Sequence, residues 1–279
     1  MRLATLVITT VLATASSAIA QNPDLAMPRP IDAADTIWIE EMTWLEVRDA
    51  MKAGKTTVIV PSGGVEQNGP YVATGKHNYV NRATCEAIAR KLGNALCAPN
   101  VQFVPEGNLD PPTSHMRYPG TISLTEATFQ ALLTDIATSL KTHGFEHIIL
   151  IGDSGGNQAG MKTVAANLSS KWNGSKTTIH FIPEYYQYPQ LLKFAAATFG
   201  WKEVPEGHHD DPAISSIIMT VDPNAVRIKQ RIAKNKASIN GISLVPVEQS
   251  VERGKQLVEY RAQVTVDAIK KALAPSTHN

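Results

Sequence analysis

The chain has 279 residues, 43% of them hydrophobic, with a formal net charge of +1. That is enough apolar material for one large core, and the near-neutral balance excludes a polyelectrolyte partner. Lys and Arg are scattered, with no basic stripe carrying interleaved aromatics, so nucleic-acid binding is not expected.

Met1-Arg2, an uncharged run over 3–15 and Ala18-Ile19-Ala20 read as a signal peptide over 1–20. Its cleavage leaves a mature chain starting near Gln21 in the periplasm or the medium. No later stretch is long and apolar enough to span a bilayer, so no membrane association is expected after cleavage. Thr43 and Glu46 have capping-box spacing at the head of an amphipathic helix over 43–53. A short apolar strand over 56–60 runs into a glycine-rich loop. Helix 81–92, strand 95–99 and a proline-rich loop over 105–119 follow. Helix 124–143 leads into strand 147–152 (His-Ile-Ile-Leu-Ile-Gly), a continuous apolar run of the kind buried on both faces of a parallel sheet. A glycine turn over 153–157, helix 158–172 and strand 177–182 come next. Residues 214–221 fit helix or strand on periodicity alone, and 251–273 is helical. Alternating helices and short apolar strands predict an α/β fold, a single domain over 21–279 with a mostly parallel central sheet flanked by helices.

Cys85 falls on a predicted helix and Cys97 on the next strand. An oxidising compartment permits a disulfide between them; two buried free thiols are the alternative.

Ligands of open α/β sheets bind beyond the carboxyl ends of the strands. Two loops leave strand ends there: Pro61–Gly75 and Gly152–Asn157. The first, P-S-G-G-V-E-Q-N-G-P-Y-V-A-T-G-K-H-N-Y (Pro61 to Tyr79), resembles the metal-binding loop of the creatininase family, close to P-x-G-S-x-E-Q-H-G-P-H-L-P-x-G-T-D. P-P-T-S-H-M-R-Y-P-G-T-I-S-L (Pro111 to Leu124) and L-K-T-H-G-F-E-H-I-I-L-I-G-D-S-G-G-N (Leu140 to Asn157) are similar to two further family blocks. The resemblance covers nearly the whole mature chain. It implies the creatininase fold, metal-dependent hydrolysis of cyclic amides or related C–N bonds, and a homo-oligomer, with a hexamer as the family form. It also favours a helix over 214–221.

Carried over position by position, the resemblance leaves the family's metal pair short of ligands. Glu66 keeps a carboxylate. Asn68 stands for a His, His77 for an Asp that bridges two metals, Ser154 for a His, and Ile214 for a Glu; His209 aligns with a family His. One imidazole nitrogen binds one cation, whereas a carboxylate can bridge two. The expectation is therefore at most one divalent metal, Zn or Mn, on Glu66 and His77 with His209 or Asp210, or none if the site is degenerate. Asp153 is a candidate partner for His77. The catalytic candidates are Glu66, His77, Asp153 and Ser154. Asn68, His115, Asn157 and His209 are candidate contacts for a small-molecule substrate, and the cluster Tyr185–Tyr188 is a candidate pocket wall.

Gly152-Asp153-Ser154-Gly155-Gly156 also admits a metal-free serine hydrolase, with Ser154 activated by His77 or His209. Three functions stay open: a creatininase-like hydrolase of an amide, cyclic amide or lactone with a reduced or rewired metal site, that serine hydrolase, and a non-catalytic small-molecule-binding protein.

Overall fold

A computed structural model describes residues 23–274. The leader expected over 1–20 lies outside them. Residues 23–32 form a small unit by themselves, turned at Asp24–Met27, where the Met27 N–H donates to the Asp24 carbonyl at 3.0 Å.

From residue 33 onward the chain builds a three-layer α/β domain. Helix α1 (Trp44–Lys52) starts with the expected capping box of Thr43 and Glu46. Strand β1 (Thr57–Ser62), helix α2 (Lys76–Leu92), strand β2 (Ala95–Cys97), helix α3 (Glu126–Thr142), strand β3 (His147–Gly152), helix α4 (Gln158–Lys171) and strand β4 (Thr178–Phe181) follow in alternation. The four strands pair in the order β2-β1-β3-β4, all parallel. Helix α5 (Tyr188–Phe199), helix α6 (Pro212–Val221), helix α7 (Ile228–Ala233), a small antiparallel hairpin of β5 (Ser238–Ile239) and β6 (Ile242–Ser243), and helix α8 (Val247–Leu273) complete the domain.

Successive side chains of a strand point to opposite faces, and both faces here are covered. Val58, Val60, Ile148 and Leu150 pack against Phe129 and Leu133 of α3 and Met161 and Val164 of α4. Ile59, Ile149 and Ile151 pack on the other side against Ile88 of α2 and Val266 and Ile269 of α8. Double coverage is the physical reason these strands read as unbroken apolar runs. A third cluster joins α2, α5, α6 and α8 through Val80, Leu191, Ile217 and Leu257. Residues 214–221 are therefore helical, with Ile214, Ile217, Ile218 and Met219 covered in this cluster.

Two expectations are corrected, and one open alternative is decided. Helix α2 begins at Lys76, five residues before the predicted start, so His77 lies in its first turn and not on the preceding loop. The segment after β4, given no element from the sequence, contains α5, and α7 went unread. Cys85 and Cys97 form a disulfide, fully buried between α2 and β2. In the chain-entropy picture, closing a loop this short stabilises the fold by roughly 3 kcal/mol.

Ser62 pairs with Gly152 at the carboxyl ends of β1 and β3. The two glycine-containing loops therefore start side by side. Among the described residues, no helix is long and apolar enough to cross a membrane.

Candidate active site and its relatives

The first loop leaves β1 and places Glu66 under the N-terminus of α2. Asn68 holds that loop in shape: its amide N–H groups donate to the carbonyls of Glu66 at 2.9 Å and Ala73 at 3.2 Å. The second loop is tied to the first by Asn157, whose amide donates to the carbonyls of Ser62 and Gly63 at 3.0 and 3.1 Å. A third segment, around Pro105–Glu106, closes over both. It can do so because Gly64 and Gly156 lack side chains: a Cβ at Gly156 would collide with the Pro105 carbonyl, and one at Gly64, whose φ is +156°, with the Glu106 carboxyl. The result is a cleft of about 580 Å³.

Glu66 sits at its centre, 2% exposed. Its Oε1 lies 2.9 Å from His77 Nε2, 3.0 Å from His209 Nε2 and 3.3 Å from Lys76 Nζ. Its Oε2 lies 3.1 Å from His115 Nε2. The ring centroids of His115 and His209 lie 4.7 Å apart, the planes tilted by 47°. Burial pushes the Glu66 carboxyl up, but hydrogen bonds from His209 and His77 and the charge of Lys76 outweigh it. They hold the group far below the usual carboxylate range.

His77 is caught between two carboxylates. Its Nε2 faces Glu66, and its Nδ1 faces Asp153 Oδ2 at 2.7 Å. Burial works against its charge, yet the hydrogen bonds to Asp153 and Glu66 win and raise its pKa. An imidazolium donates on both sides, whereas a neutral ring would present a lone pair to one carboxylate. Asp153 is held in turn by Arg261 of α8, whose guanidinium lies 2.6 Å from Oδ1. Burial raises its carboxyl, and Arg261 and His77 more than offset that, leaving it lowered. Arg261 also donates to the Tyr185 carbonyl at 2.8 Å.

On the opposite wall, Ser154 Oγ donates to Glu106 Oε2 at 3.2 Å. Glu106 is 4% exposed, and its other oxygen has no hydrogen-bond partner. Burial and the charge of Glu66 push its carboxyl up to about 8, so it carries a proton at neutral pH.

Glu66, His77, Asp153, Ser154, His115, His209 and Asp210 all line the cleft, with Tyr186 and Tyr188. Three sequence-based assignments are corrected and one is extended. Asn68 and Asn157 spend their amides on backbone carbonyls and do not line the cleft, so they are loop braces and not substrate contacts. Asp210 faces Arg231 at 3.7 Å and belongs to neither group of converging donors. Both nitrogens of His77 are engaged, and His209 Nε2 faces Glu66, so neither is the base that a Ser154 nucleophile needs; the partner of Ser154 is a carboxyl. His115, expected only as a substrate contact, joins Glu66 and His209 in a group whose donor atoms lie within 4.8 Å of one another. A second such group is Glu66, His77 and Glu106.

Lys76, Glu106 and Arg261 were missed. A signal existed for Arg261: Leu257, Arg261, Thr265 and Ile269 recur every four residues, which sets an arginine on the buried stripe of α8. Lys76 stands beside His77 in the motif itself. Glu106 had no periodic or spacing signal.

A family model described as creatinine amidohydrolase matches residues 40–269. The creatinine amidohydrolase of Pseudomonas putida is 21% identical over 272 residues, covering 86% of this chain and 99% of that protein. The mycofactocin precursor peptide peptidase of Mycolicibacterium smegmatis is 22% identical over 190 residues, 65% of this chain and 64% of that one. A crystal structure of creatinine amidohydrolase superposes with a TM-score of 0.63 at 19% identity, covering 87% of this chain and all of its own. Other similar creatininase structures are described as a Zn-Zn type and a Mn form.

The residues present do not fit a two-metal centre of the family pattern. Asn68 is turned into its loop, Ile214 is buried in the apolar cluster of α6, and His77 lies between two carboxylates. They do fit one ion: Glu66, His115 and His209 supply a carboxylate and two imidazoles, the donor set of a mononuclear catalytic site. With the family model spanning most of its length, and with these substitutions at its centre, the chain belongs to the creatininase family.

Proposed function

We propose that the chain is a hydrolase of a small amide, cyclic amide or lactone that works with one divalent ion, Zn or Mn, held by Glu66, His115 and His209. One observation carries the reading: two imidazole Nε2 atoms converge on the two different oxygens of one buried carboxylate, at 3.0 and 3.1 Å. A bound ion of this kind polarises a carbonyl and lowers the pKa of water.

The chain's own residues do the rest. His77, fixed by Asp153 and Arg261, holds Glu66 in place and supplies fixed positive charge at the floor. Glu106 carries a proton where a leaving atom can collect it, and Ser154 sets the orientation of that carboxyl. Tyr186 and Tyr188 give the cleft an aromatic wall. A second copy of the chain is the expected partner, by family likeness.

The test is metal uptake. Protein stripped with chelator, reloaded with Zn or Mn and desalted is expected to retain one ion per chain by plasma mass spectrometry. His115→Ala and His209→Ala should each lose affinity by more than the roughly 10- to 100-fold typical of residues that merely support a ligand. Asp210→Asn should keep the ion. Hydrolysis across a panel of cyclic amides and lactones should stop with chelator. Two ions per chain, or full retention in His115→Ala, would sink the assignment.

We also place the protein outside the cytoplasm. The leader-like N-terminus supports this, as does the buried disulfide, a bond that persists in oxidising compartments. N-terminal sequencing of the native protein should start near Gln21; a chain that keeps Met1 would refute export.

A further inference from the structure

Lys76 is the one lysine or arginine among the described residues that line the cleft. It opens α2, its side chain is 11% exposed, and its ammonium reaches Glu66 Oε1 at 3.3 Å. A primary ammonium has three N–H donors. Among the described residues Glu66 is its recorded partner, which leaves two donors for the cleft. The other positive groups are placed differently: both His77 nitrogens face carboxylates, and Arg261, which holds Asp153 and the Tyr185 carbonyl, does not line the cleft.

The substitution pattern gives this lysine a meaning. Where the family loop closes with G-T-D, this chain has Gly75-Lys76-His77. The Asp that bridges two cations in the family is replaced by an imidazole, and its neighbour becomes an ammonium. A covalently attached cation stands in the first turn of α2, beside Glu66.

We infer that Lys76 is a catalytic residue that binds the substrate's carbonyl oxygen. This rests on the hydrolase reading above. In the reaction, the water oxygen bonds to the carbonyl carbon and the C=O electron pair moves onto oxygen. That oxyanion accepts N–H bonds from Lys76. When it collapses, the C–N or C–O bond breaks, and the proton that water gave up ends on the leaving atom. Donors placed where charge develops are worth most in a buried site, because they need no reorganisation as the charge forms. A lysine here also selects the substrate: the scissile carbonyl carries no positive group beside it, since that group would meet Lys76 and His77 at close range.

The experiment uses methylphosphonate as an oxyanion mimic, titrated calorimetrically into the full chain, both metal-free and Zn-loaded. Lys76→Met is expected to weaken binding by roughly tenfold or more in both forms, the value of a charged hydrogen bond. Lys76→Arg should keep most of the affinity, and Zn uptake should stay at one ion per chain in every variant. If Lys76→Met unfolds, as judged by thermal melting, Lys76→Gln takes its place. On any panel compound that wild type hydrolyses, the variant should lose about 100-fold in kcat with little change in KM. Equal phosphonate affinity in wild type and variant, or an unchanged kcat, overturns the role of Lys76. A panel that wild type leaves untouched, with the phosphonate result as expected, overturns the hydrolase reading and leaves Lys76 as an anion-binding group.

Discussion

Replacing Glu66 by glutamine is expected to abolish divalent-ion binding and to destabilise the metal-free chain by roughly 3 kcal/mol near neutral pH, the cost of breaking one side of a buried ion pair. Glu66 is 2% exposed and gathers four nitrogens: three imidazole Nε2 atoms and one ammonium. A glutamine of the same shape has one acceptor oxygen and an amide nitrogen that donates. It would turn donors towards donors and leave the His77 imidazolium with Asp153 alone. The small values typical of surface salt bridges do not apply, because solvent does not screen this pair. Urea unfolding in the presence of chelator gives the stability, and plasma mass spectrometry gives the metal. A Glu66→Gln protein that melts like wild type and still carries an ion would place both the metal and the electrostatic centre elsewhere.

The expected effect is large because one carboxylate serves two systems. Through Oε2 towards His115 and Oε1 towards His209 it is a candidate ligand. Through Oε1 it anchors the chain that runs from His77 to Asp153 to Arg261. That chain links the N-terminal turn of α2, the end of β3 and the middle of α8. Those elements form one buried layer, so the geometry of Glu66 is fixed by the core and not by its loop.

How much of this could be read from residues alone varies by element. The strands were legible where burial on both faces left an unbroken apolar run, as in His147–Gly152. The convergence of the two loops was legible because parallel strands deliver their loops to the same edge. The start of α2 was not legible. Gly75, Lys76 and His77 carry no capping side chain, and Gly75 shows no side-chain cap bond. That helix start is specified by its tertiary partners, Glu66 and Asp153, and not by a local signal. Helix α5 was missed because Tyr-Pro-Gln at its head reads as a turn, while its apolar residues are tied to α6 and α8 by contacts distant in sequence.

Single ligand positions were the least legible part of the site. The motif aligned His77 with a metal-bridging residue, and its type suggested a ligand. Its surroundings add something the motif did not show: carboxylates at 2.7 and 2.9 Å from its two nitrogens, which raise its pKa. Asn68 and Asn157 looked like site residues because they stand in motifs. Motifs also record the residues that brace a loop, and an amide with several carbonyls in reach does that work. Glu106 came from a segment with no pattern at all, and its place depends on the absence of side chains at Gly64 and Gly156.

Glu106 carries the second large expectation, a change in how stability follows pH. Its carboxyl titrates near 4.5 in the unfolded chain and is pushed up to about 8 in the folded one by burial and by the Glu66 charge. Between those values the folded state holds a proton that the unfolded state has released. Stability then falls as pH rises, because the native state binds more protons. Below 4.5 the group is neutral in both states and contributes nothing. His77 acts in the same direction higher up: its raised pKa means that its contribution is complete below 6.5 and is lost as pH climbs through the folded value. Glu66 and Asp153 act oppositely, their contribution being present above about pH 4 and lost as acid titrates them downwards. Metal-free protein should therefore be most stable in mildly acid solution and weaken steadily towards pH 8. Glu106→Gln keeps the shape and an acceptor for Ser154 but cannot ionise. It is expected to flatten the alkaline side of the curve and to exceed wild type by roughly 3 kcal/mol at pH 8.5, since each pKa unit is worth about 1.4 kcal/mol and the coupling to Glu66 shares part of the shift. Urea midpoints collected from pH 4 to 9 on both proteins measure the difference directly. Parallel curves would mean that Glu106 is ionised throughout, and its place as the proton carrier of the cleft would fall with them.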